Sequence, residues 1–270
     1  MKYGVVTQQN LSREYNKKLM TISIIIATWN AAKTLRRCLD SIVPQLTNET
    51  ELILVDGDSK DDTNKIIDSY GDKIAVHISE PDKGIYDAWN KGVIHAHGDW
   101  IMFIGADDRL AQNALVEYLD FINKQNLEYD LISSKRKMVT MDDKDIYEVG
   151  SCWTWPHCLK GMPISHPGAL HNRKLFKEIG LYDINLKIAA DYDLLLRKGR
   201  NLRTAFLDMV TIIVSEGGIS DSFRAIKEYY IVLKRCSELS SAKAYLLYLN
   251  MLIRFSVKTM FRKIGINLHS

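Results

Sequence analysis

Residues 22–27 read Ile-Ser-Ile-Ile-Ile-Ala, an almost unbroken β-branched apolar run. A strand with one face in water alternates polar and apolar residues. A continuous run instead marks a strand buried on both faces, as in a parallel sheet under helices. Thr28-Trp29-Asn30 closes it, and residues 31–46 then carry Leu35, Leu39, Ile42 and Val43 at helical spacing. The pattern repeats. Glu51–Val55 is a second strand ending in Asp56-Gly57-Asp58-Ser59, and Asp61, Asp62 and Thr63 open a helix reaching about Tyr70. Ile74–Ile78 is a third strand, Ile85–Ala96 a helix and Trp100–Ile104 a fourth strand closed by Gly105-Ala106-Asp107-Asp108. Ala111–Gln125 is again helical. This alternation predicts an α/β protein with a mostly parallel central sheet flanked by helices.

The middle of the chain is less regular. Asp130–Met141 and Ile146–Val149 have strand character, and Cys152–His157 is an aromatic-rich loop. Arg173–Ile179 and Ala190–Lys198 are short helices, Thr211–Val214 is a late strand, and helices over about 222–239 and 241–263 finish the chain.

Composition narrows the function classes. Of 270 residues, 46% are hydrophobic, which excludes a disordered or collagen-like chain. A net charge of +3, from 36 basic and 33 acidic residues, gives no reason to expect a nucleic-acid partner. The four cysteines form no CxxC pair. Cys152, His157 and Cys158 invite a zinc reading, but zinc sites want tighter spacing and four ligands, so free thiols in a reducing cytoplasm are expected. Residues 1–19 are a polar leader without an apolar signal core, and no apolar run is long enough to span a membrane.

In open α/β sheets, ligands bind beyond the carboxyl ends of the strands. Two such ends here carry clustered carboxylates that sheet packing does not require. Asp107-Asp108 suits a hard divalent ion, Mg²⁺ or Mn²⁺, which binds diphosphates; the same pair also serves as an ordinary helix start. Asp56 can accept hydrogen bonds from a base or ribose, or simply order a βα turn. Asp191 and Asp193 point different ways on one helix. One suits a general base, and the other a pair with Arg197 at i+4. His157, His166 and His171 are weak candidates, since a lone histidine is usually structural.

Taken in order, these segments resemble the family 2 glycosyltransferases of GT-A fold. The resemblance rests on Ile22–Asn30 with Leu35, Leu39, Asp40, Ser41 and Ile42, and on Glu51–Thr63. It extends to Ser79-Glu80-Pro81-Asp82-Lys83-Gly84-Ile85-Tyr86-Asp87-Ala88-Trp89-Asn90-Lys91-Gly92, similar to bacterial polysaccharide-assembly members, including O-antigen enzymes. Gly98–Ile101 and Asp107-Asp108 follow in register. The resemblance implies a GT-A domain over 20–220, with a nucleotide-binding half at 20–110 and an acceptor half at 111–220. It implies an inverting hexosyltransferase using a nucleotide-diphosphate sugar, a UDP-sugar for preference, and a lipid-linked or oligosaccharide acceptor. Thr28, Asn30 and Asp56 would line base and ribose, Asp82 and Lys83 would contact the nucleotide, Asp107 would face the donor, and Asp108 would bind the metal. Asp191 would be the base. The pattern's Asp-x-Asp begins with Ala106 here, and its Glu-Asp pair reads Ala190-Asp191. Those alanines suggest the alternative of a catalytically inactive nucleotide-sugar-binding relative. A nucleotide-dependent oxidoreductase shares the alternation but wants GxGxxG after its first strand, and Thr28–Ala32 has no glycine.

No Asp or Glu follows Glu238, while Lys243, Arg254, Lys258, Arg262 and Lys263 do. Arg254, Lys258 and Arg262 form a basic stripe beside Leu249, Ile253, Val257, Met260 and Ile264. Segment 221–270 is therefore read as a basic amphipathic helical element that either places a cytoplasmic enzyme against the anionic inner face of the cell membrane or closes the core with its apolar stripe and leaves its basic face solvated.

Overall fold

The computed structural model describes residues 21–124, 128–140, 142–216, 222–236 and 238–263. The polar leader, residues 217–221 and Ile264 lie outside them, as do the side chains of Arg262 and Lys263.

The alternation expected for the first half is present. Strand β1 (Ile22–Thr28) pairs in parallel with β2 (Thr50–Asp56) on one side and β4 (Trp100–Gly105) on the other, and β2 pairs in parallel with β3 (Val76–Ser79). Helices α1 (Leu35–Ile42), α2 (Thr63–Asp68) and α3 (Ile85–His95) make the connections. The unbroken apolar run of β1 is explained by two separate cores. Ile22, Ile24 and Ile26 point into one with Leu35, Leu39 and Ile42 of α1, while Ile25 points into the other with Tyr86 and Trp89 of α3. With both faces covered, the strand has no exposed face for polar residues to alternate onto, and its one interior polar residue, Ser23, is buried with its hydroxyl donating to Glu51 Oε1.

The second half departs from a purely parallel sheet. After β4 the chain turns through residues 106–108 into β5 (Arg109–Leu110), which the sequence reading missed. It then forms α4 (Ala114–Lys124), β6 (Leu131–Val139), β7 (Asp145–Val149), the short α5 (Trp155–Cys158), β8 (Leu170–Asn172) and α6 (Arg173–Ile179). Next come α7 (Ala190–Lys198), β9 (Thr204–Ser215), α8 (Phe223–Arg235) and α9 (Ser241–Lys263). Strand β8 is antiparallel to both β4 and β6, β7 is antiparallel to β6, and β9 is parallel to β6. The resulting order is β3-β2-β1-β4-β8-β6-β9-β5. Because β5 follows β4 directly in sequence yet pairs with β9 at the far end, the sheet curls back on itself around the turn bearing Asp107 and Asp108.

Candidate active site

The site lies along the carboxyl ends of β1, β2 and β4, where the register sets Thr28 beside Asp56 and Ala27 beside Gly105. Asp56 is fully buried. Its carboxylate accepts from Thr28 Oγ1 at 3.0 Å, the Ser59 N–H at 2.8 Å, the Ser59 hydroxyl, Asn64 Nδ2 at 3.1 Å and Ser79 Oγ at 3.0 Å. Burial acts to raise its pKa, but those hydrogen bonds prevail and hold it below the ordinary carboxylate value. With its acceptors spent inside the protein, Asp56 orders the loop, and other groups face outward. Asn30 stands in the left-handed region at φ 48°, donates its N–H to Ser59 Oγ at 2.7 Å and accepts from the Lys60 N–H at 2.9 Å. Trp29 is 70% exposed beside it.

Asp82 and Trp29 converge over Gly57. A Cβ at Gly57 would come within 2.5 Å of Asp82 Oδ2 and 3.4 Å of Trp29 Cδ1, so only glycine permits this approach. Asp82 Oδ1 accepts from the Gly84 N–H at 2.7 Å. The neighbouring Lys83 is exposed, donates its N–H to Asp87 Oδ2 at 2.9 Å, and accepts at its carbonyl from Lys187 Nζ at 2.6 Å. A cavity of about 310 Å³ opens between Lys83–Asp87 and Ile184–Lys187.

At the curl of the sheet, Asp107 is exposed and Asp108 buried. A Cβ at Gly105 would meet Asp107 Oδ1 at 2.8 Å and Asp108 Oδ2 at 2.9 Å, so both carboxylates share one small space. Burial first, and the charge of Asp107 second, push the Asp108 carboxyl up to about 7. A cation relieves both effects. Among the described residues no three His, Cys, Asp or Glu side chains cluster into a metal site. Two neighbouring carboxylates are nevertheless the donor type that a hard divalent ion takes.

Asp191 begins α7, in packed surroundings that leave part of it open to solvent. Burial raises its carboxyl to about 6, against hydrogen bonds from the Tyr192 N–H at 2.8 Å and Tyr86 Oη at 3.1 Å. Asp193, two residues on, points elsewhere and pairs with Arg197, its Oδ2 2.9 Å from Nε and 2.7 Å from Nη2. The i+4 pairing read from the sequence is thus present. The segment 82–87 joins the two regions: Asp82 caps Gly57 of the β2 loop, and Tyr86 reaches Asp191.

Two residues here escaped the sequence reading. Tyr86 is a buried hydroxyl whose partners are distant in sequence, Ile188 O at 2.7 Å and Asp191. Glu228 of α8 is buried, and its Oε2 accepts the N–H groups of Lys187, Ile188 and Ala189 at 2.9, 2.7 and 3.1 Å. It thereby fixes the loop that delivers Asp191. A signal was present, since Glu228 interrupts the apolar face formed by Ala225, Ile226, Val232 and Leu233.

The remaining candidates fall outside this cleft. His166 and His171 are buried among Trp89, Phe103 and Phe176, and burial keeps both imidazoles neutral, His171 at about 4. Cys152 and Cys158 are free thiols, one exposed and one buried against Trp155 O, and form no zinc site with His157 among the described residues.

The model of the family described as Glycosyl transferase family 2 matches residues 23–153. A protein of Mycobacterium tuberculosis named PGL/p-HBAD biosynthesis glycosyltransferase is 34% identical over 208 residues, covering 74% of this chain and 79% of the relative. Among solved structures, S. aureus TarS 1-349 in complex with UDP-GlcNAc superposes with a TM-score of 0.67 at 20% identity, covering 92% of this chain and 77% of that one. The mannosyltransferase PcManGT from Pyrobaculum calidifontis, in complex with GDP-Man and Mn2+, gives a TM-score of 0.61 at 15% identity, covering 92% and 81%. The fold is therefore that of the GT-A glycosyltransferases.

Proposed function

The chain belongs to glycosyl transferase family 2, and on that premise we propose that it is an inverting hexosyltransferase. Its donor is a nucleotide-diphosphate sugar, a UDP-sugar, and its acceptor hydroxyl belongs to a lipid-linked sugar in cell-surface polysaccharide assembly of the O-antigen kind. The observation that carries this is the continuity of segment 82–87, which ties the β2 loop through Asp82 to the raised carboxyl of Asp191 through Tyr86.

Thr28, Asn30 and Asp56 shape the loops that receive base and ribose, and Asp82 and Lys83 close over the nucleotide. Asp191 takes the proton of the acceptor hydroxyl as its oxygen bonds to the anomeric carbon, while the bond from that carbon to the donor phosphate oxygen breaks. Removal of a proton by a placed base is worth typically about 10²–10⁴-fold. A carboxyl held near pH 6 stays ionised at neutral pH yet is more basic than an exposed aspartate. Asp108, with Asp107 facing the donor, would hold Mg²⁺ or Mn²⁺, which when bound offsets the charge growing on the diphosphate. One relative is named a PGL/p-HBAD biosynthesis glycosyltransferase, and two structural neighbours carry a nucleotide sugar. The test is incubation with a panel of nucleotide sugars and lipid-linked monosaccharides, read by mass spectrometry. Added mass of one sugar on an acceptor is expected; donor binding with no transfer to any acceptor favours the inactive relative.

We further propose that α9 rests on an anionic membrane face. No helix among the described residues is long and apolar enough to cross a membrane. Helix α9 packs on α8 through Ala244 and Met251, yet Leu246 and Ile253 are each 65% exposed, and Val257 and Met260 are exposed with them. The stripe expected to be either core or membrane contact is therefore not consumed by the core over these residues. Arg254 is exposed beside it. Basic residues near an anionic surface contribute about 1 kcal/mol each. Arg254→Glu with Lys258→Glu should cut co-sedimentation with phosphatidylglycerol vesicles at low salt by at least about tenfold, and unchanged co-sedimentation overturns this placement.

A further inference from the structure

A second cavity, of about 530 Å³, lies between β6, the 150–165 segment and α9. It lies outside the donor loops. Arg136, Lys160 and Arg254 line it together with His157, and no carboxylate does. Buried polar groups are normally paired. Arg136 is half-buried, has no ion pair within 4 Å among the described residues, and its Nε is buried with no hydrogen-bond partner among them, while Lys160 and Arg254 stand at exposed positions on the rim. Arg136 sits where the β6–β9 register shifts twice, between Ser134 and Arg136. Irregularities of this kind re-aim a side chain. Its charge is felt by Asp108 on one side and by Tyr229, which packs on Tyr192 beside Asp191, on the other.

We propose that this cavity binds the phosphate or diphosphate group of the acceptor, through Arg136, Lys160 and Arg254. The inference rests on the glycosyltransferase reading and deepens it. A guanidinium with a free Nε–H, a second guanidinium and an ammonium around a carboxylate-free space suit a multiply charged oxyanion. A neutral oligosaccharide leaves all three unpaired. Arg254 also links the cavity to the exposed apolar face of α9, so the phosphate of a lipid-linked acceptor is held where its lipid meets that face.

The test uses the full chain, with UDP binding measured first and inorganic pyrophosphate then titrated calorimetrically in saturating UDP and constant excess Mg²⁺. Lys160→Ala and Arg254→Ala, both at exposed positions, should each weaken pyrophosphate binding about tenfold, or about 1.4 kcal/mol. UDP binding by the same variants reports whether the donor site is intact. A chain that binds no UDP refutes the donor reading, while the pyrophosphate titration still reads the cavity alone. Pyrophosphate that binds only when UDP is absent belongs to the donor site and overturns the proposal, as does binding unaltered by either variant. A parallel arm measures phosphatidylglycerol vesicles. If Lys160→Ala weakens vesicle binding and leaves pyrophosphate binding unchanged, the cations serve bilayer headgroups and the acceptor-phosphate proposal falls.

Discussion

Replacing Asp191 with Asn removes the proton acceptor and little else. The amide oxygen still accepts from the Tyr192 N–H and Tyr86 Oη, which now bond Oδ1 at 2.8 and 3.1 Å. The loss in kcat should be about 10²–10⁴-fold with UDP binding retained. The wild type should also titrate. Its active form is the ionised carboxylate, and the carboxyl stands at about 6. The rate should therefore be flat above pH 7, halve near pH 6 and fall to about a tenth by pH 5, since each unit below the pKa cuts the ionised fraction about tenfold. Tyr86→Phe deletes a hydrogen bond that lowers this pKa, so the midpoint should move to higher pH.

Stability supplies a second reading of opposite sign. A carboxyl raised from 3.8 to about 6 favours its protonated form in the fold. Its contribution is full below pH 3.8 and is lost as pH rises through 6, at a cost of at most about 3 kcal/mol, less because part of the group meets water. The Asn variant escapes that loss and should melt no lower than wild type at pH 8. Initial rates between pH 5 and 8, with melting curves on the same samples, test both. A flat wild-type profile, or an Asn variant keeping more than about a tenth of the activity, refutes Asp191 as the base.

Asp108→Ala should abolish Mg²⁺ or Mn²⁺ stimulation while the fold survives; full activity of that variant in EDTA would show the pair is not a metal site. Glu228→Gln keeps size but weakens three charge-assisted hydrogen bonds, so it should lower stability by about 1.5–3 kcal/mol and kcat with it, checked by urea unfolding and steady-state rates. Asp193→Asn should cost stability through Arg197 with far less effect on kcat than Asp191→Asn, and the reverse ranking exchanges the two roles. Gly57→Ala drives a methyl against Asp82 and should weaken UDP binding by calorimetry without unfolding the chain.

The half of the molecule that holds β1 to β4 was readable because its strands advertise themselves. Ile22–Thr28, Glu51–Asp56 and Trp100–Gly105 are short apolar runs ending in polar clusters, and a doubly covered sheet dictates both features. The second half hides its strands. β5 has two residues and β8 three, too few for any periodicity, and each exists only because a distant strand offers an edge. β9 runs from Thr204 to Ser215, where only Thr211–Val214 looked like a strand, because Ala205-Phe206-Leu207-Asp208 carries no clean alternation. The cavity cations were invisible for a related reason. Arg136, Lys160 and Arg254 meet only after β6, the 150–165 segment and α9 are packed.

Ala190 shows how a departure from a motif and an unforeseen contact belong together. It is fully buried at the start of α7, where the resemblance implies an acidic side chain. The three N–H groups just before it, of Lys187, Ile188 and Ala189, still need an acceptor, because a buried unpaired donor costs about 1–3 kcal/mol. Glu228 supplies it from α8, and its negative charge adds to the burial that raises Asp191. The alanine therefore does not leave Asp191 without a nearby acidic neighbour. The carboxylate reaches the loop from another helix, which keeps the geometry and basicity of Asp191 dependent on the packing of α8.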